Sequence, residues 1–111
     1  MIRLPKHRAP THPGEILSEE FLVPYGISQA DLARRIAVPI QRVNLLVNRK
    51  RGVTPDTALR LSRFFGTSAE FWLNAQLAWD LRHELGSKRA SEIRRIRPVH
   101  GHLGHDAPRI R

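Results

Sequence analysis

Gln41, Arg42 and Asn44 stand close together in the chain, with Ile40 and Leu45 interleaved among them. Side chains of these types have a chemical counterpart in the edges of base pairs. An amide matches the donor and acceptor of adenine, a guanidinium matches the paired acceptors of guanine, and an aliphatic group touches the thymine methyl. Arg49, Lys50 and Arg51 follow directly. Cations placed there neutralise phosphates, and so set register and salt dependence rather than sequence preference. Gln29 lies next to Ser28 at a predicted helix start, where an amide side chain and open backbone N–H groups grip a phosphate.

Such groups face outward together only if the segment carrying them is a rigid helix with one side buried. Val43, Leu46 and Val47 recur at helical spacing, which predicts a helix over 39–48 clamped on that side. Gln41, Arg42, Asn44 and Leu45 then point elsewhere. Pro39 begins this helix, because a proline disfavours helical geometry in the residue before it and suits a first turn. The preceding helix, 28–38, opens at Ser28 with Asp31 in a capping-box-like position, and Leu32, Ala33 and Ile36 form its apolar face.

Supporting elements follow the same logic. His12-Pro13-Gly14-Glu15 starts a first helix containing Ile16, Leu17, Phe21 and Leu22, and Pro24-Tyr25-Gly26 closes it. Thr54-Pro55-Asp56 starts another, with Ala58, Leu61, Phe64 and Phe65 buried and Gly66 as the stop. Ser68 caps a fifth helix, apolar at Phe71, Trp72, Leu73, Leu77, Ala78, Trp79, Leu81 and Leu85. That is more than one stripe, so the helix needs more than one surface to pack against. Phe71, Trp72 and Trp79 are the expected anchors of an interface with a second copy. No alternating strand pattern is present, and the predicted class is all-α.

With 111 residues the chain makes one domain. The boundaries read as a basic arm over 1–11, a helix-turn-helix unit over 12–85 and a basic tail over 86–111. Nineteen Lys and Arg against ten Asp and Glu give a formal charge of +9, which favours polyanionic partners. The tail alone sets seven cations against two carboxylates. Residues 88–96 are predicted to form a polar helix. The stretch after Pro98 has nothing to bury and reads as disordered; His100, His102 and His105, with no carboxylate scaffold besides Asp106, would make only a floppy metal site, and disorder is the expectation.

The absence of cysteine excludes disulfides and thiolate chemistry. No Ser–His–Asp or paired-carboxylate arrangement stands out, so neither an enzyme nor a cofactor is expected. No apolar run is long enough for a membrane span or a secretory leader, which predicts a cytoplasmic protein. Recognition of single-stranded RNA is disfavoured because the polar faces carry no stacking aromatics.

Residues 12–85 resemble the HigA-type antitoxins of the XRE-like helix-turn-helix superfamily. The resemblance lies in HPGEIL, in Ser28-Gln29-Ala30-Asp31-Leu32-Ala33 and in TPDTALRLSRFFGTSAEFWLNAQLAWDL. It implies a five-helix, lambda-repressor-like fold with a basic C-terminal tail. It also implies double-stranded operator DNA as one partner and a HigB-like toxin, a small mRNA endonuclease, as another, with autorepression of the shared operon by a homodimer. A stand-alone XRE-family repressor is the alternative. Ala37 and Arg49 occupy positions where such proteins often place glycine, and Pro39 replaces the usual small polar cap.

Overall fold

The computed structural model describes residues 10–100, and all their regular secondary structure is helical. Most of the arm, together with His102 and His105 of the tail, lies outside the described residues. The first helix, α1 (13–25), starts at Pro13 with His12 as its cap. The His12 ring Nδ1 accepts the Gly14 N–H at 2.9 Å. The helix runs as Pro13–Ile16, widens into a π-helical turn over Leu17–Leu22, and ends as Val23–Tyr25.

The helix closes at Pro24-Tyr25-Gly26 as expected, with Pro24 in its last turn and Gly26 as the left-handed cap at φ 65°. Proline has no N–H for the carbonyl four residues back, and the wider turn, in which the Val23 N–H reaches the Ser18 carbonyl, absorbs the mismatch.

The remaining helices are α2 (Gln29–Arg35), α3 (Ile40–Val47), α4 (Pro55–Phe65), α5 (Ala69–Leu85) and α6 (Arg89–Arg94). Three start where a hydroxyl satisfies an open amide. The Asp31 N–H donates to Ser28 Oγ at 3.0 Å, Thr57 N–H to Thr54 Oγ1 at 3.4 Å, and Phe71 N–H to Ser68 Oγ at 3.0 Å. Each such cap contributes about 1 kcal/mol. The Asp31 carboxylate turns away to Arg34 and Arg35. Gly66 ends α4 at φ 78°, a conformation that glycine adopts without a Cβ clash. The polar helix predicted over 88–96 is the shorter α6, joined to α5 by Gly86–Lys88 and tied back by the Arg89–Glu84 ion pair.

Leu17, Leu32, Ala58, Leu61 and Trp72 are fully buried where α1, α2, α4 and α5 meet. Trp72, expected at an interface between copies, is therefore a core residue. Its ring packs 5.1 Å from Phe21 and its indole N–H donates to Thr67 Oγ1 at 2.7 Å, which satisfies the polar edge inside the fold. Phe71 is half-buried against Trp72. Trp79 is half-buried with its ring 5.1 Å from His12 and 4.1 Å from His83. The side of α5 left uncovered carries Leu77, Leu81 and Leu85, exposed by 56%, 55% and 71%.

Helix α1 meets α3 with almost no gap. A Cβ placed on Gly14 would sit 1.7 Å from the Leu46 carbonyl oxygen. Gly14→Ala is accordingly expected to lower stability by about 1–3 kcal/mol, the usual cost of overpacking, measured as a loss in urea-unfolding free energy.

Burial first, and the nearby Arg49 guanidinium second, hold the His12 pKa below its ordinary value of 6.5; Asp80 and Glu15 oppose them more weakly. The unfolded chain therefore binds this proton more readily than the folded one. The stabilising contribution of the neutral ring is complete above pH 6.5 and declines as pH falls toward the lower folded value. Urea titrations should show a loss of stability between pH 7.5 and 5 that is smaller in His12→Asn, which keeps a capping acceptor but does not titrate.

Candidate nucleic-acid interface

Helix α3 is held by Val43 and Leu46, each 2% exposed, packed among Leu32, Ala33 and Ile36 of the preceding helix and turn. Complete burial of such a side chain contributes roughly 1.5–3 kcal/mol, so the clamp is chiefly hydrophobic. Gln41, Ile40 and Leu45 are exposed and Asn44 is half-buried. Gln41, Asn44, Leu45 and Asn48 fall on one stripe of the helix, opposite the clamp. Asn48 caps α3, its side-chain N–H donating to the Asn44 carbonyl at 2.9 Å. Asn48 ends the predicted 39–48 helix and is absent from the predicted reading residues; its spacing of one turn from Asn44 is the signal that would have included it.

Arg42 departs from expectation. Its side chain is 26% exposed, and its guanidinium donates to Asp56 Oδ2 at 2.7 Å. Asp56 in turn accepts from Arg60 Nε at 3.1 and 3.0 Å, and Arg60 Nη1 reaches the carbonyls of Ile36 at 2.8 Å and Ala37 at 3.2 Å. The chain Arg42–Asp56–Arg60–Ile36 thus links α3, α4 and the turn after α2. Hydrogen bonds from Arg60 and then Arg42 hold the Asp56 carboxyl below the usual carboxylate range. Exposed ion pairs add little stability, so this network mainly fixes where Arg42 sits. The i,i+4 spacing of Asp56 and Arg60 was legible in the sequence; their reach to α3 and to the turn was not.

Both helices of the pair end in the same way. Val38 N–H bonds to the Ala33 carbonyl and Ala37 N–H to Arg34; Lys50 N–H bonds to Leu45 and Arg49 N–H to Leu46. This is the Schellman arrangement. It places Ala37 and Arg49 at φ 60°, the left-handed region that favours glycine. Pro39 caps α3 without offering a side-chain acceptor. Gln29 is the first residue of α2 and is half-buried. Arg49, Lys50 and Arg51 are exposed just beyond α3, with Arg49 3.6 Å from Glu15. Gln76 Oε1 accepts the Val53 N–H at 2.8 Å and so ties this loop to α5.

Two short helices across a tight turn, the second buried on one side and amide-bearing on the other, define a helix-turn-helix protein. A helix-turn-helix family model matches residues 19–72. Virulence-associated protein I of Dichelobacter nodosus is 49% identical over 82 residues, covering 74% of this chain and 76% of that protein. Antitoxin HigA-1 of Vibrio cholerae is 41% identical over 80 residues, covering 68% and 74%. Among solved structures, Pseudomonas aeruginosa antitoxin HigA with the higBA promoter is 43% identical with a TM-score of 0.76, covering 81% of this chain and 98% of that one. The chain belongs to the XRE-like helix-turn-helix family and, within it, to the HigA-type antitoxins.

A non-glycine residue in left-handed geometry costs roughly 1–2 kcal/mol. Ala37→Gly relieves that cost and gives back part of it as unfolded-chain entropy. The net expectation is a gain of about 0.5–1 kcal/mol, read as a higher midpoint of thermal unfolding.

Proposed function

We propose that this chain is a sequence-specific DNA-binding antitoxin that represses its own operon as a dimer and neutralises an mRNA-cleaving toxin of the HigB type. The observation that carries the DNA half is the exposed stripe of α3, set rigidly between cations. Gln41, Asn44 and Leu45 read base edges in the major groove, with Ile40 beside them and Asn48 at the far end of the stripe. Arg42, steadied by Asp56, reads a base edge at the flank of this stripe. Gln29, Arg49, Lys50 and Arg51 hold phosphates on either side. The Pseudomonas structure solved with its promoter supports this reading, and the Vibrio relative, itself an antitoxin, supports the toxin half.

A dimer places two reading helices ~34 Å apart, one turn of duplex, and doubles the phosphate contacts. The second copy packs on the exposed leucines of α5, Leu77, Leu81 and Leu85; Trp79, on the side of α5 that meets His12, and Phe71, at the groove beside Phe21, lie away from this stripe. No helix of the described residues is long and apolar enough to cross a membrane, and the protein acts in the cytoplasm, where the operator lies. Repression requires no chemistry: occupancy of the operator excludes polymerase.

Two variants separate reading from gripping. Against DNA from immediately upstream of its gene, Arg42→Ala should weaken binding by about 1–3 kcal/mol and relax preference at one base pair per half-site. Lys50→Ala should weaken cognate and scrambled duplexes alike and lower the salt slope by about one. Equal affinity of the unmodified protein for cognate and scrambled duplexes at matched salt overturns the DNA reading. Growth rescue on co-expression with the adjacent reading frame tests the toxin half; absence of rescue favours a stand-alone repressor.

A further inference from the structure

The cations of this chain are unevenly placed. Residues 12–33 and 64–81 contain no Lys or Arg, yet they hold six of the ten acids: Glu15, Glu19, Glu20, Asp31, Glu70 and Asp80. Folding brings the two stretches together where the end of α1 meets the α4–α5 junction. A groove of about 710 Å³ opens there, lined by Glu20, Phe21, Tyr25, Phe65, Phe71 and the turn at 66–68. Tyr25 is 63% exposed and stacks on Phe65 at 6.1 Å with the rings 17° apart, and Phe65 rests on Phe21 at 4.7 Å. Among the described residues, Glu19, Glu20 and Glu70 take part in no ion pair. None of the lining residues belongs to α3 or its basic loop, and Tyr25 lies roughly 16 Å along α1 from the Gly14 contact with α3.

From this we infer that the groove is the docking site for the toxin, and that it receives a cationic side chain of that partner. The inference rests on the antitoxin reading above. A protein that cleaves mRNA must hold a polyanion and is therefore basic. The formal +9 of this chain opposes such a partner over most of its surface. The groove is lined by no cation, and Glu20 is the carboxylate it presents. The alkyl stem of an arginine or lysine lies on Tyr25 and Phe65, where the ring faces attract its charge, and its head group meets Glu20. A basic partner seated here leaves the α3 face open to DNA.

The probe is the purified product of the adjacent reading frame, titrated against the full chain by calorimetry. Glu20→Lys and Tyr25→Ala, both at exposed positions, should each weaken this binding by roughly tenfold or more, as loss of a central contact does. Operator affinity and thermal midpoint should be unchanged, and the unmodified complex should loosen as salt rises. Should either substitution disturb folding, Glu20→Gln and Tyr25→Leu replace it, with a smaller loss expected in the same direction. If the unmodified chain binds and both variants bind within about twofold of it, the groove assignment is wrong and the antitoxin reading stands. If the unmodified chain does not bind, the antitoxin reading fails and the groove loses its occupant with it.

Discussion

The arrangement depends on how closely α1 can approach the backbone of α3. Gly14 sits against the Leu46 carbonyl with no room for a single added carbon, and Leu46 with Val43 is buried beneath. Packed interiors transmit strain because they have few voids, so a helix seated this tightly has one position. Everything exposed on α3 inherits that position. A stripe of amides on a loosely held helix would be a solvated surface; on this one it is a pattern with fixed spacing.

Apolar burial supplies the rigidity, and electrostatics supplies direction. The Arg42–Asp56–Arg60 chain is too exposed to add much stability, but it joins three segments whose relative placement decides what Arg42 can reach. On a larger scale, cations flank α3 in its loop and on α2 and α4, while Glu20 and aromatic rings line the groove where α1 meets α4 and α5. One small fold therefore carries a reading helix flanked by cations and, away from it, a groove lined by none. That division is what a protein needs if it is to meet a polyanion and a polycation without the two competing for the same surface.

Much of this was legible from local rules. The caps at Ser28, Thr54 and Ser68, the stop at Gly66, and the buried faces of α2 and α3 follow from hydroxyl, glycine and period-3.6 signals that act within a few residues. Ala37 and Arg49 were marked as places where glycine is common, and both lie in left-handed geometry. The misreadings share a cause. Trp72 and the α5 leucines look alike as apolar residues, and only the neighbours in space decide that Trp72 fills the core while Leu77, Leu81 and Leu85 stay uncovered. The π-turn that lets Pro24 sit inside the last turn, just ahead of the Gly26 stop, is likewise not encoded in proline itself.

From the sequence alone came the class of the fold, the order of its helices, the helix that bears the amides and the family to which it belongs, because each rests on short-range periodicity, capping chemistry or motif. Tertiary structure alone decided that Arg42 is braced by a carboxylate fourteen residues away, that His12 is buried beside Trp79, and that two cation-free stretches far apart in the chain line one groove. Contacts of that kind depend on which surfaces meet when helices pack, and a packing partner is a property of the whole core rather than of any window along the chain.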